Sequence, residues 1–289
     1  MGGGHQTRSL KPETELAERS VLITGCSSGI GLASAKTLHA RGWRVFATAR
    51  RPADLAMLAG LGLEPIALEL RDPASVAACA AAVLNRTGGE LSALFNNAAY
   101  GQPGAVEDLP VDVLRDQFEV NLFSWHALTR PILTAMRKND RGRIVNCSSV
   151  LGLIAPPYRG AYNASKFALE ALTTSMRHEL YGSGIHISLI EPGPIDTRFV
   201  EHALDMFRNK IDIAGSRHSE AYQRRLAAMA AGGTQTFKLP PEAVAAKLVH
   251  ALENPRPKPH YYVTWPTYMA VAMKRALPRA VADRLERSS

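Results

Sequence analysis

From about residue 20 onward, short apolar runs alternate with longer stretches in which apolar positions recur every three or four residues. The runs VLIT, ALF and ISLI are apolar at consecutive positions, as strands buried on both faces of a sheet are. The pattern predicts strands over Val21–Thr24, Arg44–Ala49, Pro65–Leu70, Ala93–Asn96, Arg143–Ser148, Ile185–Glu191 and Tyr261–Thr264. Helical periodicity fills the gaps, so each strand is expected to run parallel to its neighbours and return through a helix packed on the sheet. The expectation is a single α/β domain over residues 20–265 with a doubly wound, parallel, seven-stranded sheet.

Three stretches depart from this rhythm. Residues 197–236 carry helical patches but no strand, and they follow the C-terminal end of the sixth strand. Ligands bind at that end of open α/β sheets, so the segment is read as a helical substrate lid. Residues 266–289 form an amphipathic C-terminal extension interrupted by Pro278, and residues 1–19 read as a mobile tail with neither a signal peptide nor a membrane span.

Composition narrows the function classes. With 46% apolar and 21% charged residues, 289 residues can bury one large core. Cys26, Cys79 and Cys147 are too scattered for a disulfide framework and read as free thiols in a reducing, cytoplasmic compartment. The net charge of +8 is spread along the chain without interleaved aromatics, which argues against nucleic acid and for a small polyanionic cofactor.

The first expected strand runs into Gly25-Cys26-Ser27-Ser28-Gly29-Ile30-Gly31 and then a helix through His39. Glycines there allow a tight turn and close approach of a pyrophosphate to the helix N-terminus, although the G-x-x-x-G-x-G spacing departs from G-x-G-x-x-G. An ordinary strand-to-helix turn is the plain alternative. An acidic residue after the second strand would hold a ribose 2'-hydroxyl; here Arg50 and Arg51 stand instead, which suits the 2'-phosphate of NADP(H). Ser28 adds a hydroxyl, and Arg51 reads equally well as a solvated helix-start residue.

Tyr162 and Lys166 lie four positions apart in a stretch where Phe167, Ala168, Ala171, Leu172 and Met176 keep helical spacing, so both project from one helix face. A phenol ionises near pH 10, a gap of roughly 4 kcal/mol from neutrality. A nearby ammonium and an oxidised nicotinamide both favour phenolate, so Tyr162 can serve as acid in carbonyl reduction and as base in alcohol oxidation. Tyr158 has no lysine four residues on, and so serves as an internal control. Ser148 and Ser149 fall at the C-terminus of the fifth strand, where a hydroxyl could hold the substrate oxygen.

Taken together, TGCSSGIG, NNAA (96–99), Asn121 in VNLF, Ser149, YNASK and EPGPIDT resemble, in order, the motifs of the classical short-chain dehydrogenase/reductases. The resemblance covers about residues 20–265 and looks closest to the retinol and 17β-hydroxysteroid dehydrogenase-like branch and its bacterial NADP-dependent aldehyde-reductase relatives. It implies a Rossmann-type fold and a catalytic set of Asn121, Ser149, Tyr162 and Lys166, with Asn121 in a water-linked proton relay. Ser149 is preferred to Ser148 because it stands thirteen positions before Tyr162. Lys166 is implied to bind the nicotinamide ribose. Asn97 and Ala98 are implied to pack on the cofactor, and Pro192, Gly193, Ile195 and Thr197 to hold the carboxamide. NNAA departs from the commoner NNAG, and Glu69 stands where an aspartate usually faces the adenine, beside Leu70.

The substrate face is expected from Leu151, Leu153, Tyr100, Gln102 and the lid residues Phe199, Leu204, Met206 and Phe207. These are mostly apolar, which points to a hydrophobic aldehyde, ketone, retinoid or steroid. Phe199, Leu204 and Phe207 could equally be the lid's own core. Two rival readings stand: a catalytically silent dinucleotide sensor, and a membrane-associated enzyme docked through the C-terminal extension. His39, His126, His178, His186 and His250 lack ligand-spaced partners, so no metal is expected in the reaction. The periodic stretches Leu114–Met136 and Tyr162–Leu180 match the family's dimer-forming helices, which implies a homodimer or homotetramer.

Overall fold

A computed structural model describes residues 19–231 and 236–287. Of the expected tail only Arg19 falls within them, and residues 232–235 of the lid and 288–289 of the extension also lie outside. The seven strands are β1 (Ser20–Ile23), β2 (Arg44–Ala49), β3 (Glu64–Ala67), β4 (Ala93–Asn96), β5 (Gly142–Cys147), β6 (Ile185–Glu191) and β7 (His260–Tyr262). They form one sheet in the order β3-β2-β1-β4-β5-β6-β7, with every pair parallel. This is the Rossmann-type fold. The apolar runs are buried as their continuity requires: Val21, Leu22, Ile23, Leu94 and Phe95 are all 0% exposed.

Two strands end two or more residues earlier than the apolar pattern suggested. β3 stops at Ala67 because the chain turns at Glu69, whose backbone N–H binds the Ser75 hydroxyl at 2.9 Å. β7 stops at Tyr262, since Thr264 already caps the next helix.

The helices that position the site are α1 (Gly29–Ala40), α2 (Pro52–Gly60), α3 (Pro73–Arg86), α4 (Val111–Phe118), α5 (Ser124–Lys138) and α6 (Gly160–Glu179). The segment expected as a lid holds α7 (Phe199–Lys210) and α8 (Ser219–Ala230); α9 (Glu242–Glu253) precedes β7, and α10 (Trp265–Ala276) and α11 (Arg279–Arg287) lie in the C-terminal extension. The break between α10 and α11 falls at Leu277-Pro278, where proline removes a backbone donor. Chain order reverses between β1 and β4, so their C-terminal ends form the crevice in which open α/β sheets take ligands. No helix among the described residues is long and apolar enough to cross a membrane.

The lid has its own small core of Ala105, Phe207, Ile211 and Tyr222, apart from the main one. Phe207 is 0% exposed there and packs edge-on to Tyr222 at 4.9 Å. The placement of Phe207 on the substrate face is therefore corrected: helical spacing put it on the lid's inner side, and burying an aromatic ring against Tyr222 outweighed lining a cleft.

Candidate active site

The glycine turn closes the crevice from the β1 side. Gly25 and Gly29 have φ of +75° and +54°, the left-handed region that glycine adopts without strain. A Cβ on Gly31 would stand 2.1 Å from the Gly25 carbonyl oxygen, so the third glycine lets the helix start press against the turn. At the start of α1, Ser28 makes no side-chain cap and the first turn holds no acidic residue. Its backbone N–H groups thus remain available to an anion, which fits the pyrophosphate of a dinucleotide. Ile30 packs against the core, and Ser27 lies partly exposed beside it.

From β4 comes the NNAA run. Thr24 ties it to the turn, its hydroxyl accepting from the N–H groups of Asn97 at 2.8 Å and Ala98 at 3.0 Å, while the Asn97 amide donates to the Thr24 carbonyl at 2.9 Å. Thr24 was not singled out from the sequence; its position at the end of the first strand was the available signal. Behind β2, Arg51 is held by Asp54 in a forked pair at 2.8 and 2.9 Å, which gives it the local role of a helix-start residue. Arg50 is as exposed as Arg51 but held only loosely, 3.7 Å from Glu69. Leu70 is buried in the main core, which leaves little of its side chain for an adenine.

Asn121 sits in a π-helical turn, Glu119–Phe123, between α4 and α5. Such a turn widens the helix locally and recurs at functional sites. Its amide grips the backbone of Tyr100, donating to the carbonyl at 2.9 Å and accepting from the N–H at 3.2 Å, and also donates to the Ser165 hydroxyl at 3.2 Å. The Tyr100 hydroxyl binds Asp116 at 2.5 Å and its ring lies under Arg71. That corrects the assignment of the Tyr100 side chain to the substrate face. A carboxylate and a guanidinium on its far side satisfy it better than an apolar cleft. Gln102 is buried and reaches the lid at the Met206 carbonyl, 3.5 Å away.

On α6, Tyr162 and Lys166 are 8% and 1% exposed. The Lys166 ammonium donates to the Cys147 carbonyl at 2.7 Å and lies over the Trp125 ring at 4.6 Å and the Tyr162 ring at 5.7 Å. Trp125 is fixed in turn by its indole N–H on the Ala98 carbonyl at 2.9 Å. Burial, the largest cause, lowers Lys166 to about 8. The Tyr162 phenol is pushed above its ordinary value, also chiefly by burial. The Ser149 hydroxyl and the Arg159 guanidinium oppose that rise. The simple expectation that Lys166 depresses the phenol is thereby modified: its ammonium is engaged by Cys147 and Trp125, and desolvation outweighs the groups that favour phenolate.

Ser149 follows β5, and its loop is tied to the one after β6. The Ser148 N–H donates to the Ile190 carbonyl at 2.7 Å, and that of Val150 to the Pro192 carbonyl at 2.8 Å. Gly193 abuts Thr264, and Ile195 pairs with Leu239 in an isolated bridge. Thr197 meets the glycine turn, its methyl 2.9 Å from where a Cβ on Gly29 would stand. A cavity of about 410 Å³ opens there between α1 and the base of the lid, beside Lys36 and Arg198. Over the phenol lies Phe199, its ring 5.4 Å from that of Tyr162 and close against Gly101. Leu151 and Leu153 are half-buried nearby in sequence, in the turn after Ser149.

A family model for the short chain dehydrogenases matches residues 19–206. The chain belongs to that family. It is 41% identical to the Escherichia coli oxidoreductase YbbO over 94% of this chain and 95% of that one. It is 34% identical to human 17-beta-hydroxysteroid dehydrogenase type 1, over 86% and 78% of the two chains. Two solved relatives carry different dinucleotides. A Burkholderia phymatum short-chain dehydrogenase/reductase in complex with NAD has a TM-score of 0.74 at 27% identity, over 95% of this chain and 97% of that one. An actinorhodin polyketide ketoreductase with NADPH has a TM-score of 0.69 at 28% identity, over 85% and 95%. The short-chain dehydrogenase described here is thus an oxidoreductase built to bind a nicotinamide cofactor.

Proposed function

We propose that this short-chain dehydrogenase is an NADP(H)-dependent carbonyl reductase or alcohol dehydrogenase for medium to large hydrophobic substrates, with Tyr162 as the acid or base. The observation that carries the reading is the convergence of Tyr162, Lys166 and the Ser149 loop beneath the apolar ring of Phe199. Bound there, a nicotinamide dinucleotide would supply the hydride for the carbonyl carbon in reduction, or take it up in oxidation. Ser149 holds the substrate oxygen and Tyr162 delivers its phenolic proton there, or takes it back in oxidation. Burial holds Tyr162 protonated near neutral pH, the form in which it acts as the acid of carbonyl reduction.

The dinucleotide is assigned to the uncapped start of α1, to Asn97 and Ala98, and to the loop Pro192, Gly193, Ile195 and Thr197. Arg50 is assigned to the 2'-phosphate. Its guanidinium is 63% exposed on the side chain and shared only loosely with Glu69, so it can turn to a dianion. One charge-assisted contact contributes about 1.5 to 3 kcal/mol, a preference of roughly ten- to hundredfold for NADPH over NADH. Steady-state kinetics with both cofactors check this. Arg50→Asp should weaken NADPH and spare NADH; equal efficiency of the two cofactors with the wild type would overturn the assignment.

The substrate panel tests the rest. Each buried methylene contributes about 0.8 kcal/mol, so kcat/KM should climb roughly threefold or more per carbon along a series of straight-chain aldehydes until the pocket fills. Best activity on a charged or polyhydroxylated substrate would count against an apolar lid. Support for assembly through the outer helices comes from the exposed apolar side chains of Phe123, Phe167 and Leu172 on the π turn and α6, so a homo-oligomer is part of the proposal.

A further inference from the structure

Behind the catalytic face, the structure gathers one buried and two half-buried ionisable groups that the reaction itself does not use. Glu170 lies one turn beyond Lys166 on α6; Glu191 ends β6, directly before Pro192; His260 begins β7. One oxygen of each carboxyl and one ring nitrogen of the imidazole all lie within 4.8 Å of one another. Glu191, 0% exposed, is satisfied: the His260 Nδ1 stands 2.6 Å from its Oε1, and the Tyr261 N–H donates to its Oε2 at 3.2 Å. Glu170 is not. Its Oε1 is buried without a hydrogen-bond partner, and so is the hydroxyl oxygen of Ser148, a residue 3% exposed. The two unpartnered oxygens flank one point, lying 3.2 and 2.8 Å from where a Cβ on Gly152 would stand.

Two carboxylates sharing a largely buried space keep both charges only at a cost: His260 and Arg177 answer Glu191, while the Lys166 ammonium nearest Glu170 is engaged by the Cys147 carbonyl and Trp125. The groups facing Glu170 are Lys166 on its own helix, Ser148 after β5, Glu191 on β6 and His260 and Tyr262 on β7; Arg177 of α6 faces Glu191. We infer that Glu170 is a positioning residue that carries a proton in the active protein, shares it with Ser148, and so clamps the catalytic helix to the loop after β5, which the Ser148 and Val150 N–H groups tie to Ile190 and Pro192. Burial first, and then the charge of Glu191, raises Glu170 to about 7, while Ser148, His260 and Lys166 pull the other way. The sign follows. Below about pH 7 Glu170 is neutral and the clamp holds; above it, two carboxylates repel across the seam between α6 and β6. Because the fold binds this proton more tightly than the unfolded chain does, its stabilising contribution is complete below the ordinary carboxyl value of 4.5 and is lost as pH rises through about 7.

The inference rests on nicotinamide-cofactor binding by the family and not on the substrate or on a choice between NADP and NAD. Dinucleotide affinity is therefore measured directly by calorimetry on the full chain, with whichever cofactor binds tighter. Between about pH 5.5 and pH 7.5, below the range in which Lys166 loses its charge, the wild-type dissociation constant should rise about threefold, since proton and cofactor favour the same arrangement. Glu170→Gln, a permanent mimic of the neutral acid, should match the wild type at the acid end and change less than about twofold over the range. Glu170→Ala should bind weakly throughout. An equal slope in Glu170→Gln and wild type would overturn the inference, as would a wild type without a slope. If added zinc alone tightens wild-type binding at alkaline pH and Glu170→Gln abolishes that effect, the three side chains hold a metal and the proton reading falls. Should Glu170→Gln fail to fold, infrared titration of the wild type decides: a protonated-carboxyl stretch must be present at pH 6 and lost by pH 8.5, and its absence at pH 6 sinks the idea.

Discussion

Replacing Tyr162 with phenylalanine should reduce kcat by about 10²- to 10⁴-fold, the range over which a positioned proton donor accelerates a reaction. The substitution removes one oxygen and keeps the ring that packs edge-on to Phe199 and under the Lys166 ammonium. Burial already penalises the charged phenolate, so losing the hydroxyl should leave folding nearly unchanged, within about 1 kcal/mol. Dinucleotide affinity should also hold within a factor of a few. The informative measurement is the pair of kcat and cofactor dissociation constant for one folded variant. Near wild-type turnover would remove Tyr162 from the chemistry, and turnover lost together with cofactor binding would make its role structural.

Lys166→Ala should act more broadly. The Cys147 carbonyl loses the donor at 2.7 Å, and the space over Trp125 is emptied. A buried acceptor left without its partner and a new cavity together cost about 2 to 4 kcal/mol, read as a lower Tm. A charge-assisted contact to the nicotinamide ribose should disappear as well, weakening the dinucleotide roughly ten- to hundredfold. Here the pH dependence separates roles. Burial sets Lys166 at about 8, so the wild type holds the ammonium below that pH and loses it above. Binding should weaken through about pH 8 in the wild type, and that limb should be missing in Lys166→Ala. An unchanged dissociation constant would place Lys166 outside the cofactor site.

The order of strands and helices was legible because it depends on local periodicity: a doubly buried strand must be apolar at consecutive positions, whatever its neighbours do. The glycine turn was equally plain, since Gly25, Gly29 and Gly31 answer to backbone conformation and close approach. The YNASK spacing put Tyr162 and Lys166 on one helix face, and the structure brings their side chains within 5.7 Å. Each of these features is written within a few residues of itself.

Other features needed the tertiary structure because their partners lie far apart along the chain. The chain's local pattern places Tyr100 on the cleft, but Asp116 of α4 and Arg71 claim its side chain. Phe207 turned into the lid only because Ala105 and Tyr222 meet it there. The direction in which the phenol shifts was likewise set by burial, a property of the folded whole. The trio Glu170, Glu191 and His260 carries no motif at all, for it comes from three elements separated by 21 and 69 residues. Sequence determined the elements, the turn and the catalytic pair, since local geometry and burial pattern suffice for those; charge, desolvation and side-chain commitment depend on what packs across the sheet, and only the three-dimensional arrangement decided them.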